Sequence, residues 1–220
     1  MQFELTSEFL DTLKQAIEEK NNTYLREQLH ELYAPDIAII INNLNLVHAA
    51  YIYELLDDET APEVLLELDD DQREDLLATF SSKQIAEQVD NMDSDDAADL
   101  IAELPEDIQE EVLSHMEDIE QASDIAELIN YQEGTAGSLM AKELVSVYSF
   151  ETVSACIEEI RKQADDVDLM YAVYVLDNND RLIGLVSLKK LIISHPLARI
   201  EEIYEPDVQF VKPNTPSEEV

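Results

Sequence analysis

The sequence is poor in basic residues, and this shortage excludes several classes of ligand. Lys and Arg number 13 against 51 Asp and Glu, which gives a formal net charge of -38 over 220 residues. Nucleic acid is therefore not an expected partner, because phosphate recognition needs a basic face. An anionic membrane surface is disfavoured for the same reason.

Glycine and cysteine are also scarce. With 3 Gly, the chain can form neither a P-loop nor a dinucleotide-binding glycine turn. Its 4 His are scattered, with no H-E-x-x-H motif and no recognisable spacing from Cys156, so we expect a protein that is not an enzyme. Cys156 is the only cysteine, which rules out an internal disulfide and fits a reducing cytosol.

Long apolar runs are missing as well. No run approaches the roughly 18 residues that span a bilayer, and the N-terminus MQFELTSEFL lacks the features of a secretory signal. We therefore expect the chain as given to be soluble. A hydrophobic share of 45% is enough for a folded core.

The most informative feature that is present is a period of twelve residues. Apolar residues recur at Leu44, Leu56, Leu68, Phe80, Met92, Leu104 and Met116. The next position holds Asn45, Asp57, Asp69, Ser81, Asp93 and Pro105, five of which are good N-cap residues, while proline suits a first turn. Ser81 with Gln84 predicts a capping box.

Each unit is thus a cap followed by about two turns of helix, which is too short to be stable alone in water. The units must stack, and we predict an α-solenoid over residues 30–130 without strands. A longer amphipathic helix is predicted before it in SEFLDTLKQAIEEK, where Phe9, Leu13 and Ile17 share one side.

Acidic residues follow the same period. Residues 31–130 contain 29 Asp or Glu and only two bases, Arg73 and Lys83. Positions four and eight of the unit lie on one helix face; they hold Glu59 and Glu63, Asp71 and Asp75, Lys83 and Glu87, Asp95 and Asp99, and Asp107 and Glu111. Stacking predicts an acidic stripe. It is either a solvated face or a surface for a divalent cation such as Mg²⁺, which keeps several waters and needs no cage.

The pattern changes after Tyr131. QEGTAGSLMAKEL predicts a hinge leading to a strand at Leu144-Val147, followed by a helix in TVSACIEEIRKQ. YAVYVLD and LIGLVSL predict a hairpin around Asn178-Asn179-Asp180, where Asn tolerates a positive φ. The helix LKKLIIS completes a small α/β module.

This module begins a second time. Val145, Val147, Thr152, Ser154 and Ile157 recur 63 residues later as Val208, Phe210, Thr215, Ser217 and Val220. We therefore expect a second, incomplete copy and a longer parent chain. The predicted domains are 1–130, an acidic helical superhelix; 131–202, the hinge and first module; and 203–220, the start of the second.

These residues carry a family resemblance. The unit from Val173 to Ile192, with Gly184-Leu185-Val186-Ser187 before its last helix, resembles a CBS motif. An acidic helical domain followed by E-G-T-A-G-S-L-M, from Glu133 to Met140, and then CBS motifs resembles the cytosolic part of the MgtE family of Mg²⁺ channels and transporters.

The resemblance implies a fold and a function. The fold class is multidomain, α plus α/β, with an N-terminal α-solenoid followed by a CBS-type α/β module. The chain would be a Mg²⁺-sensing regulatory region at the cytoplasmic face of the cell membrane. It would form a homodimer through its CBS domains and precede a transmembrane pore, and Mg²⁺ between the helical domain and the CBS domains would favour closure.

The resemblance also implies the metal ligands. The D-D-x-A-D segment of the family matches Asp95 to Asp99, so Asp95 and Asp99 take the metal role, and an A-x-E-V context matches Glu63. A backbone carbonyl in the A-G-x-L-M turn falls at Ser138, and T-x-x-E-E-V places Glu218 as a further ligand.

Two rival functions remain open. One is a CBS module regulated by an adenine nucleotide; against it, Lys190 stands where nucleotide-binding CBS motifs usually carry the Asp that bonds the ribose. The other is a docking scaffold whose acidic solenoid binds a basic protein.

Overall fold

Short α-helices follow one another through the first 130 residues of the computed structural model, which describes residues 3–163, 170 and 172–220. They are α1 (Ser7–Glu18), α2 (Asn22–Leu29), α3 (Ala34–Asn42), α4 (Leu46–Tyr53), α5 (Thr60–Leu66), α6 (Asp70–Leu77), α7 (Ser82–Val89), α8 (Ser94–Ala102), α9 (Glu106–His115) and α10 (Ile119–Ile129). Among the described residues the first strand begins at Ser146, so the predicted all-helical first region is confirmed.

The capping pattern behind the twelve-residue period is largely confirmed. Asn45 Oδ1 accepts the N–H of His48 at 3.0 Å. Ser81 and Gln84 form the predicted capping box, in which each side chain accepts a backbone N–H of the other residue. These bonds satisfy donors that the first helical turn leaves unpaired, and so they fix where α4 and α7 begin.

Two cap positions differ from the prediction. Asp57 Oδ1 accepts the N–H of Thr60 at 2.8 Å, and α5 begins only at Thr60, with Glu59 as its N-cap residue. Pro105 is itself the N-cap residue of α9 and lies outside the first turn. At Asp57 the reason is local, because an Asp side chain can close its own turn before the helix starts.

The helices pack against neighbours two steps away in the chain. α3 contacts α5, α5 contacts α7, and α7 contacts α9, while α4 contacts α6 and α8 contacts α10. This forms an odd row and an even row, whose seam is apolar and includes Ile52, Leu65, Leu76, Leu100 and Ile101, each at most 2% exposed. The repeat in space is therefore a pair of twelve-residue units.

The region from Tyr131 to Val220 forms the second of two compact units, the first being Met1–Asn130. It contains β1 (Ser146–Tyr148), α11 (Val153–Gln163), β2 (Ala172–Leu176), β3 (Leu182–Ser187) and α12 (Leu188–Ile193). The sheet order is β1-β2-β3, with β1 parallel and β3 antiparallel to β2. Its core comprises Val145, Val147, Val153, Cys156, Val173, Val175, Val186, Leu191 and Ile200.

The predicted elements of this module are present with two corrections. The first strand begins at Ser146 and not at Leu144. In the hairpin, the residue with positive φ is Asp180, at 58°, and not an asparagine. Asp177 explains this, because its Oδ1 accepts the N–H groups of Asn179 and Arg181 and bends the chain before the turn. Tyr171, predicted to open the second strand, lies outside the described residues.

A further segment pairs with the free edge of β3. Leu185 and Glu205 exchange both backbone hydrogen bonds, at 2.9 and 2.7 Å. Gly184 allows this approach, since a Cβ there would lie 2.1 Å from the Tyr204 ring. In the described part of the chain, no helix has the length and apolar character needed to cross a bilayer.

Cys156 provides a test of this core. The side chain is 0% exposed, and burial, followed by the nearby Glu151 carboxylate, raises the pKa of its thiol to about 11. Because the thiolate is the reactive form, alkylation by iodoacetamide at pH 8 should be at least roughly a hundredfold slower than in the urea-denatured chain. Equal rates in the two states, followed by mass spectrometry, would contradict the packing described for α11.

Candidate metal site

Asp95 and Asp99 lie on one face of α8. Asp93 is the N-cap residue with an extended backbone, so the helix begins at Ser94 and Asp95 falls in its first turn. Asp99 follows four residues later, on the same face. Asp99 is exposed and Asp95 is half-buried. The helix dipole favours a carboxylate at the Asp95 position, so this face can present two oxygen ligands to a cation.

Glu63 is exposed on α5, between the buried residues Pro62 and Val64. α5 packs against α3 and α7, whereas α8 packs against α9 and α10. Glu63 therefore belongs to the odd row, and the Asp95–Asp99 pair belongs to the even row.

The acidic stripe is divided in the same way. Its exposed members are Glu59, Glu63, Asp71, Asp75, Lys83, Glu87, Asp99, Asp107 and Glu111, and Asp95 is half-buried. Those on α5, α7 and α9 belong to one row and those on α6 and α8 to the other. The single stripe predicted from the period is therefore two stripes, because helices stack two steps apart.

Ser138 lies in the short 3-10 turn Ala136–Leu139. Its N–H donates to the Thr135 carbonyl at 3.2 Å, and its hydroxyl donates to the same oxygen at 3.0 Å. Gly137 beside it is required by a close approach, because a Cβ there would lie 2.6 Å from the Tyr131 ring. The turn that carries Ser138 is thus fixed by the hydrogen bonds to Thr135 and by the close packing of Gly137 against the Tyr131 ring.

Glu218 is exposed in the short 3-10 turn Ser217–Glu219. The chain just before it is hydrogen-bonded to the hinge that carries Ser138. The bonds run from the N–H of Ala136 to the Thr215 carbonyl at 2.7 Å, from the N–H of Gly137 to the Pro213 carbonyl at 2.7 Å, and from the N–H of Ser217 to the Gly134 carbonyl at 2.8 Å. The structure therefore brings the Ser138 and Glu218 segments together within the second unit.

No ready-made cage accompanies these residues. Across residues 3–163, 170 and 172–220, no group of three or more His, Cys, Asp or Glu side chains is arranged to hold a metal ion. What the first unit offers is a pair of carboxylates on a helix surface. Such a pair suits an ion that keeps most of its water, as Mg²⁺ does.

Lys190, the residue that departs from the nucleotide-binding pattern, already has a partner. Its N–H donates to Ser187 Oγ at 3.3 Å as part of the cap of α12. Its Nζ lies 3.7 Å from Glu205 Oε1. A phosphate at this position would have to compete with the Glu205 carboxylate.

Sequence reasoning missed one group beside the candidate site. Arg73 on α6 donates two hydrogen bonds to the carboxylate of Glu103, from Nε at 3.0 Å and from Nη2 at 2.7 Å. Glu103 is the C-cap residue of α8 and continues the line of Asp95 and Asp99. The sequence did contain a signal for this group, because Arg73 is one of only two bases among residues 31–130.

Two segments of the chain match known domain families. Residues 32–134 match the MgtE intracellular N domain. Residues 136–194 match the CBS domain. Together they cover the solenoid and the α/β module described above.

Relatives and solved structures agree with this assignment. The magnesium transporter MgtE of Thermus thermophilus is 30% identical over 95% of this chain, and the chain spans 47% of that relative's length. The cytosolic domain of the Mg²⁺ channel MgtE in complex with ATP has a TM-score of 0.85 at 30% identity, covering 96% of this chain and 86% of that one. The soluble part of a magnesium transporter has a TM-score of 0.80 at 26% identity, covering 96% and 83% respectively.

The predicted fold class, an α-helical first region followed by a CBS-type α/β module, is thereby confirmed. Because a solved MgtE cytosolic domain is matched at 30% identity over 86% of its length, this chain belongs to the MgtE family.

Proposed function

We propose that this chain is the cytosolic Mg²⁺-sensing region of a magnesium transporter or channel. Mg²⁺ held between the acidic helical domain and the CBS domains favours closure of a pore that follows in the parent protein. The observation that carries the proposal is the similarity to the cytosolic domain of a Mg²⁺ channel. The carboxylate pair on α8, of which Asp99 is exposed and Asp95 half-buried, adds a chemical reason.

The proposed domains are 1–130 for the acidic N domain, 131–202 for the hinge and first CBS motif, and 203–220 for the start of a second motif. The proposed location is the cytoplasmic face of the membrane. The proposed ligands are Glu63, Asp95 and Asp99 in the N domain and the Ser138 carbonyl with Glu218 in the CBS part.

Electrostatics supplies the mechanism. Two carboxylates about 6 Å apart repel by roughly 1 to 3 kcal/mol as the effective dielectric falls from 80 to 20. A domain with a formal excess of acid therefore avoids other acidic surfaces when cations are scarce. If Mg²⁺ binds only the arrangement in which the acidic domain is docked on the CBS part, it shifts the population toward that arrangement. By thermodynamic linkage, the same shift favours closure of the pore.

The first prediction concerns the α8 pair. Millimolar Mg²⁺ should make the protein more compact in X-ray scattering than K⁺ does at matched ionic strength, and Asp95→Asn with Asp99→Asn should remove much of that difference. Asn keeps the side-chain shape and loses the charge, so the helical circular dichroism should not change.

The matched control is Asp71→Asn with Asp75→Asn, an exposed pair of the same spacing on α6. This control should leave the Mg²⁺ response largely intact. Screening acts on any exposed charge within about 10 Å at 0.1 M salt. Equal compaction by Mg²⁺ and K⁺, or equal losses in the two double variants, would favour a solvated face or a docking scaffold.

The second prediction is dimerisation through the CBS part. Ile192, Ile193 and Leu197 are 78%, 73% and 74% exposed near the end of α12, and large exposed apolar side chains that cluster mark interaction sites. On a chain extended through the second CBS motif, sedimentation should show a dimer that Ile192→Asp dissociates. Ile119→Asp, at a residue 84% exposed on α10, is the control that should leave the dimer intact.

A second candidate function, regulation by an adenine nucleotide, is supported by the ATP in the related cytosolic domain. In this case the Lys190 ammonium would bind a phosphate after its ion pair with Glu205 is broken. Lys190→Ala should then weaken ATP binding, and Glu205→Gln should strengthen it, because the competing carboxylate is lost. Calorimetric titration with ATP measures both affinities. If the two substitutions change the ATP affinity in the same direction, Lys190 does not bind the phosphate in this way.

A further inference from the structure

Arg73 donates five directional hydrogen bonds. Besides the two bonds to Glu103, its Nη2 donates to Asp70 Oδ1 at 2.9 Å. Its Nη1 donates to the carbonyls of Leu68 at 3.2 Å and of Leu66 at 3.4 Å. The side chain is only 12% exposed. These bonds fill the planar fork of the guanidinium, which a lysine could not reproduce.

Arg73 and its partners link three helices. Leu66 is the last residue of α5 and lies three residues after Glu63, in the next turn of that helix. Glu103 is the C-cap residue of α8, four residues after Asp99 and on its face. Arg73 itself is on α6. One side chain therefore touches both the helix that carries Glu63 and the helix that carries Asp95 and Asp99.

The position of this link matters because it joins α6 to α8, its neighbour in the even row. The odd row packs closely through α5, α7 and α9, and so do α4 with α6 and α8 with α10 in the even row. The two hydrogen bonds from Arg73 to Glu103 join α6 directly to the C-terminal end of α8.

We infer that Arg73 is a positioning residue for cation binding, because its fork fixes α8, and with it the Asp95–Asp99 pair, relative to α5 and Glu63. The inference rests on the proposed Mg²⁺ function of these carboxylates. The largely buried guanidinium of Arg73 thus holds an anionic cation-binding surface in one arrangement.

If Arg73 acts only through its charge, its removal should change Mg²⁺ binding in the opposite direction from its removal if it acts by positioning the ligands. The two roles can therefore be told apart by experiment. Removing a positive charge from an acidic surface should strengthen the attraction of Mg²⁺ if charge alone mattered. Removing the fork should weaken Mg²⁺ binding if position matters. Groups that orient metal ligands typically change metal affinity by about tenfold or more when they are lost.

The experiment compares Arg73→Met with Lys83→Met in this chain. Lys83 is the other base of residues 31–130. Its side chain is 71% exposed, and its Nζ lies 3.3 Å from Glu87 Oε1. Both variants lose one positive charge. We expect the Mg²⁺ midpoint of compaction to rise about tenfold in Arg73→Met and to stay the same or fall in Lys83→Met. Arg73→Lys, which keeps the charge and loses the fork, should lie between wild type and Arg73→Met.

A distance measurement separates this inference from the function on which it rests. Spin labels at Glu67→Cys on the end of α5 and Ala102→Cys on α8, with Cys156→Ala, report the separation of the two helices without Mg²⁺. Arg73→Met should broaden that distance distribution, and Lys83→Met should not. If Arg73→Met does not fold, Glu103→Gln replaces it, with Glu87→Gln as the control for loss of one carboxylate charge.

An unchanged distance distribution, an unchanged Mg²⁺ midpoint, or tighter binding in Arg73→Met would each overturn the inference. If the wild-type chain responds no more to Mg²⁺ than to K⁺ while Arg73→Met still broadens the distances, the proposed function fails instead. In that case the link between the helices stands, and its role in cation binding is rejected.

Discussion

Stacking of two-turn helices is the interaction on which the first unit depends. Helices such as α4, α6 and α7 have 8 residues each, below the length at which a helix is stable alone in water. They are held by the apolar seam between helices two steps apart, with fully buried side chains such as Leu65, Leu76, Leu100 and Ile101, and by contacts between consecutive helices such as α3 with α4. The seam fixes the rotation of every helix, so it also decides which residues face outward. The two acidic rows are a consequence of that rotation.

The same constraint explains how the unit tolerates its charge. The acids of the register are exposed except for the half-buried Asp95, so water and salt screen their repulsion, and none of them is fully buried. Arg73 is the exception to outward placement among the bases of the repeats, with a side chain 12% exposed. A buried cation is costly unless it is paired and hydrogen-bonded, and the fork meets this condition with two carboxylates and two carbonyls. The hydrogen bond to Glu103 raises the pKa of Arg73 further, which keeps the guanidinium charged.

Much of the fold could be read from the sequence because its signals are local. The caps at Asn45 and Ser81 and the change of pattern after Tyr131 each depend on residues that lie close together in the chain. What could not be read was pairing at a distance. A period of twelve does not say whether a helix meets its first or its second neighbour, and the link from Arg73 to Glu103 spans 30 residues. The positive φ of Asp180 was missed because Asp177 determines it through side-chain bonds that a turn motif does not specify. The candidate ligands themselves came from family resemblance, since exposed acids at helical spacing do not identify a metal site.

The division of the candidate ligands between two units bears on how a sensor of this kind would work. Glu63, Asp95 and Asp99 belong to the unit Met1–Asn130, and Ser138 and Glu218 belong to the unit Tyr131–Val220. An ion that needs ligands from both units binds only the docked state, so its apparent affinity is lowered by the fraction of molecules that are docked. In the proposed mechanism, repulsion between acidic surfaces would make that fraction small, and any group that orders one half of the site would reduce the remaining entropic cost of binding. The weak affinity expected for an abundant intracellular ion can therefore arise from the docking equilibrium, even when each half of the site is rigid.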